Sequence, residues 1–160
     1  MSLLLKDLLF TVLVPGTVGV YVPLWIAGGR APAWGIPGAL AVVVLALGAA
    51  LYAWCVWDFA RFGRGTPAPI DAPKALVVRG PYRVTRNPMY VAVLAVILGQ
   101  ALLFRSAALV AYAFGVGTCF HLFVTLYEEP HLRAEFGGSY EAYRARVPRW
   151  LPRLRTGGAA

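Results

Sequence analysis

The chain has 160 residues, of which 59% are hydrophobic and 14% charged, with a mean hydropathy of +0.66 and a net charge of +8. That balance excludes an ordinary soluble domain and predicts an integral membrane protein. The length suits one compact bundle over residues 1–160 and excludes a bundle plus a separate soluble domain of ordinary size.

Four apolar stretches are long enough to be read as spanning helices, because lipid offers no partner for unpaired backbone groups. The first runs from Leu8 to Ala27 and is interrupted by Pro15 and Pro23. It has the look of a secretory signal, but Lys6 is followed at once by Asp7 and no convincing small-residue cleavage site follows, so it is read as an uncleaved span. Gly38 to Ala60 forms the second. A third begins at the Asn87-Pro88 step and ends near Phe104, and a fourth covers Ala107 to Tyr127. The very short turn at Arg105 and Ser106 predicts that the last two form an antiparallel hairpin.

Basic residues concentrate on one side of this layout. The loop after the second span holds Arg61, Arg64, Lys74, Arg79, Arg83 and Arg86, and the tail holds Arg133, Arg144, Arg146, Arg149, Arg153 and Arg155, against only Arg30 and Arg105 in the opposite turns. Short basic loops stay in the cytoplasm, which predicts four spans in the cell (inner or plasma) membrane with both termini cytoplasmic. The same distribution accounts for most of the net charge as topology marking and contact with anionic headgroups. Nucleic acid is not an expected partner, since no recognisable binding module is present. Cys55 and Cys119 fall inside predicted spans with no second ligand cluster, so they read as packing residues and no metal is expected.

Two polar clusters stand out at the cytoplasmic ends of the third and fourth helices. One is Arg83, Arg86, Asn87 and Tyr90, and the other is the Glu128-Glu129 pair. The tight turn on the far side makes them neighbours. Pro88 suits the first turn of a helix and Asn87 suits its N-cap. Adjacent carboxylates at a helix C-terminus repel each other and meet the negative end of the dipole, so they need cations. Either Arg83 or Arg86 supplies them as an interfacial salt-bridge set, or the pair awaits a cationic ligand. Beyond Pro130, Leu132, Phe136, Tyr140, Tyr143 and Val147 recur at intervals of three and four, broken by Gly137-Gly138. This predicts a short amphipathic helix, or two pieces, along the membrane surface as a lid.

"GPYRVTRNPMY", the hairpin and "LYEEPHLRAEFGGSYEAYRARVPRWLP" together resemble the membrane-embedded methyltransferases that include isoprenylcysteine carboxyl methyltransferase and phosphatidylethanolamine N-methyltransferase. The resemblance covers about the last 80 to 100 residues. It departs from the carboxyl methyltransferase pattern at Asn87, where histidine is usual, and leans toward a lipid or amine acceptor. It implies an all-α polytopic bundle of about four transmembrane helices plus a C-terminal interfacial helix, with a cofactor-site core at about residues 76–152. S-adenosyl-L-methionine is the implied cofactor, and a small-molecule or lipid methyl acceptor the implied partner.

The implied cofactor-binding residues are Tyr82, Arg83, Arg86, Asn87, Pro88, Tyr90, His121, Glu128 and Glu129, with Glu128 and Arg146 as catalytic candidates. These residue types suit the ligand: glutamates for its ammonium or ribose hydroxyls, arginine for its carboxylate, and aromatic faces for its cationic methyl donor. His121 is read as a relay or a helix-helix hydrogen bond, Asp58 as the partner of Arg61 or another loop arginine, and Trp150 as part of a C-terminal flap. Two other readings stand beside this one: a nicotinamide-dependent membrane reductase with similar C-terminal helices, and a non-catalytic protein that binds lipid or a partner.

Overall fold

The computed structural model describes residues 13–59, 61 and 76–151, and among these residues every regular element is helical. The start of the first expected span, Ala60, the loop cations Arg64 and Lys74 and the tail cations Arg153 and Arg155 lie outside the described residues.

Among the described residues two helices are long and apolar enough to cross a membrane: Ile36–Asp58 and the continuous run Ala107–Phe136. Thr17–Ala27 and Pro88–Leu103 are shorter apolar helices, so within the described residues two of the four expected spans reach full length. The physical reason for the third is plain. Pro88 fixes its start, and Arg105 at φ 46° breaks the chain after Leu103, leaving 16 residues. At about 1.5 Å per residue, that falls short of a hydrocarbon core roughly 30 Å thick.

In chain order the elements are α1 (Thr17–Ala27), α2 (Ile36–Asp58), α3 (Pro88–Leu103), α4 (Ala107–Phe123), α5 (Glu129–Phe136) and α6 (Gly138–Arg146). A 3-10 turn, Gly80–Arg83, leads toward α3. The most extensive packing is between α2 and α3, and α3 also packs on α4 as the expected hairpin. The close α2–α3 approach requires Gly48, where a Cβ would lie 3.1 Å from the Ala92 carbonyl oxygen and 3.0 Å from Val96. At the hairpin turn Ser106 caps α4 by accepting from the Leu109 amide. Gln100 Nε2 donates to the Gly19 carbonyl at 2.6 Å and Tyr112 Oη donates to the Val18 carbonyl at 3.0 Å, tying α1 to the hairpin.

Each of two prolines follows a π-helical turn. Thr17–Tyr21 precedes Pro23, with Val22 N–H bonding the Thr17 carbonyl, and Val124–Glu128 precedes Pro130, with Glu129 N–H bonding the Val124 carbonyl. Proline lacks an amide and its ring collides with the carbonyl four residues back, so a widened turn lets the helix continue. In the second case the widening also changes which way the following side chains face.

The expected amphipathic segment is two helices, α5 and α6, separated at Gly137, whose φ is 50°. Tyr140, Tyr143 and Val147 form a buried cluster with Leu132 and Phe136, as their spacing predicts. The cluster closes on Leu76 and Val78, so the apolar face packs on the chain that leads into the 3-10 turn.

Candidate functional site

The start of α3 and the stretch where α4 passes into α5 are joined by the segment after α6. Its backbone carbonyls act as anchors: Arg86 N–H donates to the Pro148 carbonyl at 2.9 Å, and Thr85 Oγ1 and Asn87 Nδ2 donate to the Arg149 carbonyl at 2.9 and 3.0 Å. Asn87 therefore does not cap α3 with its side chain, contrary to its sequence reading. Three bonds to two neighbouring carbonyls hold residues 148–149 as a strap across the entry of α3.

Glu129 completes the strap. Arg149 grips it with Nε at 2.7 Å and a terminal nitrogen at 3.0 Å, and Arg86 Nη1 reaches it at 3.0 Å. A bidentate fork of this kind is stronger and more directional than a single ion pair. Hydrogen bonding to Glu129 pushes the Arg149 guanidinium pKa further up, which fixes its charge. Arg86 also donates to Tyr140 Oη at 3.1 Å, and Tyr143 Oη donates to the Tyr82 carbonyl at 2.7 Å. Burial pushes both phenols up, so they serve as neutral hydroxyls.

Glu128 has a different environment. The π turn and the 100° step between adjacent helical residues send it toward α3. There it accepts from Tyr90 Oη at 2.8 Å, and among the described residues no basic side chain lies within ion-pair distance of it. It lines a cavity of about 120 Å³ with Tyr82, Arg86, Asn87, Tyr90 and Phe120. Arg86 contributes a buried Nε that has no hydrogen-bond partner. A cavity walled by an unpaired carboxylate, a guanidinium N–H and aromatic rings suits a ligand carrying both cationic and anionic groups.

Of the residues singled out in the sequence, Tyr82, Arg86, Asn87, Tyr90 and Glu128 meet at this cavity, while Pro88 starts α3 beside it and Glu129 lies behind it in the strap. Arg83 is exposed. Arg146 is exposed as well, its Nε donating to the Ala142 carbonyl of its own helix. His121 faces a second, apolar groove, where its Nδ1 accepts from Trp150 Nε1 at 3.1 Å. The widened turn explains why His121 and Glu128, seven residues apart, do not share a face.

Asp58 does not pair with Arg61, whose guanidinium lies 5.7 Å from the Trp57 ring centre. Its Oδ2 is buried without a hydrogen-bond partner, packed against Gly80. Arg149 and Tyr140 were not singled out as site residues. Arg149 carries no local signal beyond its place in an arginine-rich tail, and Tyr140 was legible only as an apolar position.

A model of the family described as phospholipid methyltransferase matches residues 37–139, which takes in α2, α3, α4 and α5 and both carboxylates. The chain belongs to the phospholipid methyltransferase family. As a member of that family it is a membrane methyltransferase, and neither the reductase nor the non-catalytic reading is favoured. Phospholipid methyltransferase membership also fits its two long apolar helices. No curated protein matches the chain.

Proposed function

We propose that the chain is an S-adenosyl-L-methionine-dependent methyltransferase acting on a lipidic or membrane-partitioned acceptor, with the donor held at the Glu128 cavity. The observation that carries this reading is the division of labour between adjacent carboxylates. Glu129 is saturated by Arg86 and Arg149, whereas Glu128 faces the cavity, accepts from Tyr90 and, among the described residues, has no ion-pair partner. Glu128 lies in the π turn of a continuous helix, and a buried carboxylate there with no cation of its own favours a ligand that brings one.

The cavity of about 120 Å³ is well below the roughly 300 to 1,000 Å³ of sites that enclose a whole ligand, so it suits one polar end of the cofactor. When bound, the cofactor supplies an electrophilic methyl group on a sulfonium. Glu128 holds the cationic end, and Tyr90 orients the carboxylate through Oε2, leaving Oε1 for a proton lost by an amine acceptor. Arg86 offers its free Nε–H to the carboxylate of the ligand. Tyr82, Tyr90 and Phe120 exclude water and present ring surface to the sulfonium. The protein contributes chiefly by fixing approach and alignment. Asn87, at the cavity wall, and Glu129, behind it, hold the strap, and Arg83 and Arg146 lie outside this set.

The same reading makes residues 1–160 one domain, with both termini cytoplasmic and the active site at that face. Basic residues clustered between α2 and α3 and after α4 support the orientation. Titration of the detergent-purified protein with S-adenosylmethionine tests the assignment, with a reduced nicotinamide dinucleotide as control. Saturable binding of the first alone is expected, and binding of the second alone would overturn the reading.

A further inference from the structure

A groove of about 510 Å³ runs between α3 and α4, separate from the donor cavity. Leu94 and Leu98 form one wall, Ala113 and Gly117 form its floor, and Phe114 stands at its rim. Small residues hollow it out: a Cβ on Gly117 would point at Leu94, 3.7 Å away. Leu98 is ten residues into α3, about 15 Å from Pro88 and so about halfway through a hydrocarbon core roughly 30 Å thick. With Pro88 at the membrane boundary, lipid hydrocarbon surrounds the groove at that depth.

The other end is different in chemistry. There the lining becomes Thr118, His121 and Trp150, and the Thr118 hydroxyl is already committed to the Phe114 carbonyl. Trp150 is bonded to His121 on the groove side, and its ring lies 6.4 Å from that of Tyr90, which lines the donor cavity and holds Glu128. Tyr90 in turn packs on Phe120 at 4.7 Å. One aromatic layer therefore separates an apolar groove from the cavity, and one of its members, Trp150, directly follows the strap.

We propose that the groove holds one hydrocarbon chain of the methyl acceptor, and that Trp150 is the specificity-determining residue at its junction with the donor cavity. The assignment rests on the methyltransferase reading and adds to it the place where the acceptor's chain lies, with entry chain-first between α3 and α4. A groove bounded by a single helix pair takes one chain, and a second chain of the same lipid remains in the bilayer. Turning Trp150 off His121 opens the aromatic layer to the head of the acceptor. The lone pair of the accepting atom then forms its bond to the methyl carbon as the carbon–sulfur bond breaks, its electron pair going to sulfur. A proton on the accepting atom passes to Glu128.

The test uses the full chain in phosphatidylcholine nanodiscs, a lysophospholipid with a diazirine in its acyl chain, and peptide mass spectrometry. Adducts are expected at Leu94, Leu98 and Phe114, to be competed by unlabelled lysophospholipid, and to fall at least tenfold in Gly117→Leu. Gly117→Ala, which the groove accommodates, serves as the folding control, and S-adenosylhomocysteine binding should be unchanged in both. Donor binding accompanied by uncompeted adducts spread equally over the exposed Leu40, Val43 and Leu47 of α2 would overturn this proposal alone. Groove adducts on a protein that binds no donor would overturn the acceptor assignment together with the reading it rests on. A headgroup diazirine is expected to mark His121 in the unaltered protein and also Tyr90 in Trp150→Ala. Unchanged marking would remove Trp150 from the assignment.

Discussion

Arg149 and Glu129, twenty residues apart, meet through two hydrogen bonds of 2.7 and 3.0 Å and clamp the chain after α6 onto the start of α5. Arg86 joins the same carboxylate from the entry of α3. One carboxylate thus joins three segments, and its neighbour in sequence is left facing a cavity.

Removing the Glu129 charge leaves two arginines opposed with no counter-ion. Glu129→Gln is expected to lower stability by about 3 kcal/mol, the cost of breaking a buried ion pair from one side. The thermal midpoint in detergent should fall clearly below that of the unaltered protein.

Arg149→Lys keeps the charge and loses the fork. It is expected to cost about 1 kcal/mol and to raise hydrogen exchange at the Arg86 amide, which bonds the Pro148 carbonyl. Exchange at that amide unchanged from the parent would show that the strap is held without the fork.

Asn87→Ala removes one of two donors to the Arg149 carbonyl while Thr85 keeps the other. A loss of about 1 kcal/mol is expected, with the helicity of α3 unchanged because the side chain does not cap it. Circular dichroism together with thermal unfolding separates the two effects.

Gly80 sits at φ 48°, and a Cβ there would overlap Asp58 Oδ2 and the Trp54 indole nitrogen. Gly80→Ala is expected to destabilise by about 2 kcal/mol or more through strain and displacement of the turn that carries Tyr82. Arg146→Ala, by contrast, alters an exposed side chain and should leave donor affinity within about twofold of the parent.

The residue pattern carried the hairpin, the meeting of the two polar clusters and the apolar face of α5 and α6. Each rests on local spacing or on a short turn, which sequence displays directly. The split between Glu128 and Glu129 was not legible, because it depends on a π turn and on Arg149, which reaches back across α6. Asn87 has good N-cap chemistry, and a tertiary carbonyl outcompetes the local amide for its side chain. Apolar composition overstated the third span, since Pro88 and Arg105 set the helix length while hydropathy does not register backbone breaks.

The most direct measurement compares S-adenosylhomocysteine affinity and thermal midpoint for the unaltered protein, Glu128→Gln and Glu129→Gln. The account predicts that Glu128→Gln loses at least tenfold in affinity at a nearly unchanged midpoint, while Glu129→Gln shows the larger drop in midpoint. A Glu128→Gln protein that binds as tightly as its parent would contradict the assignment of the donor to this cavity.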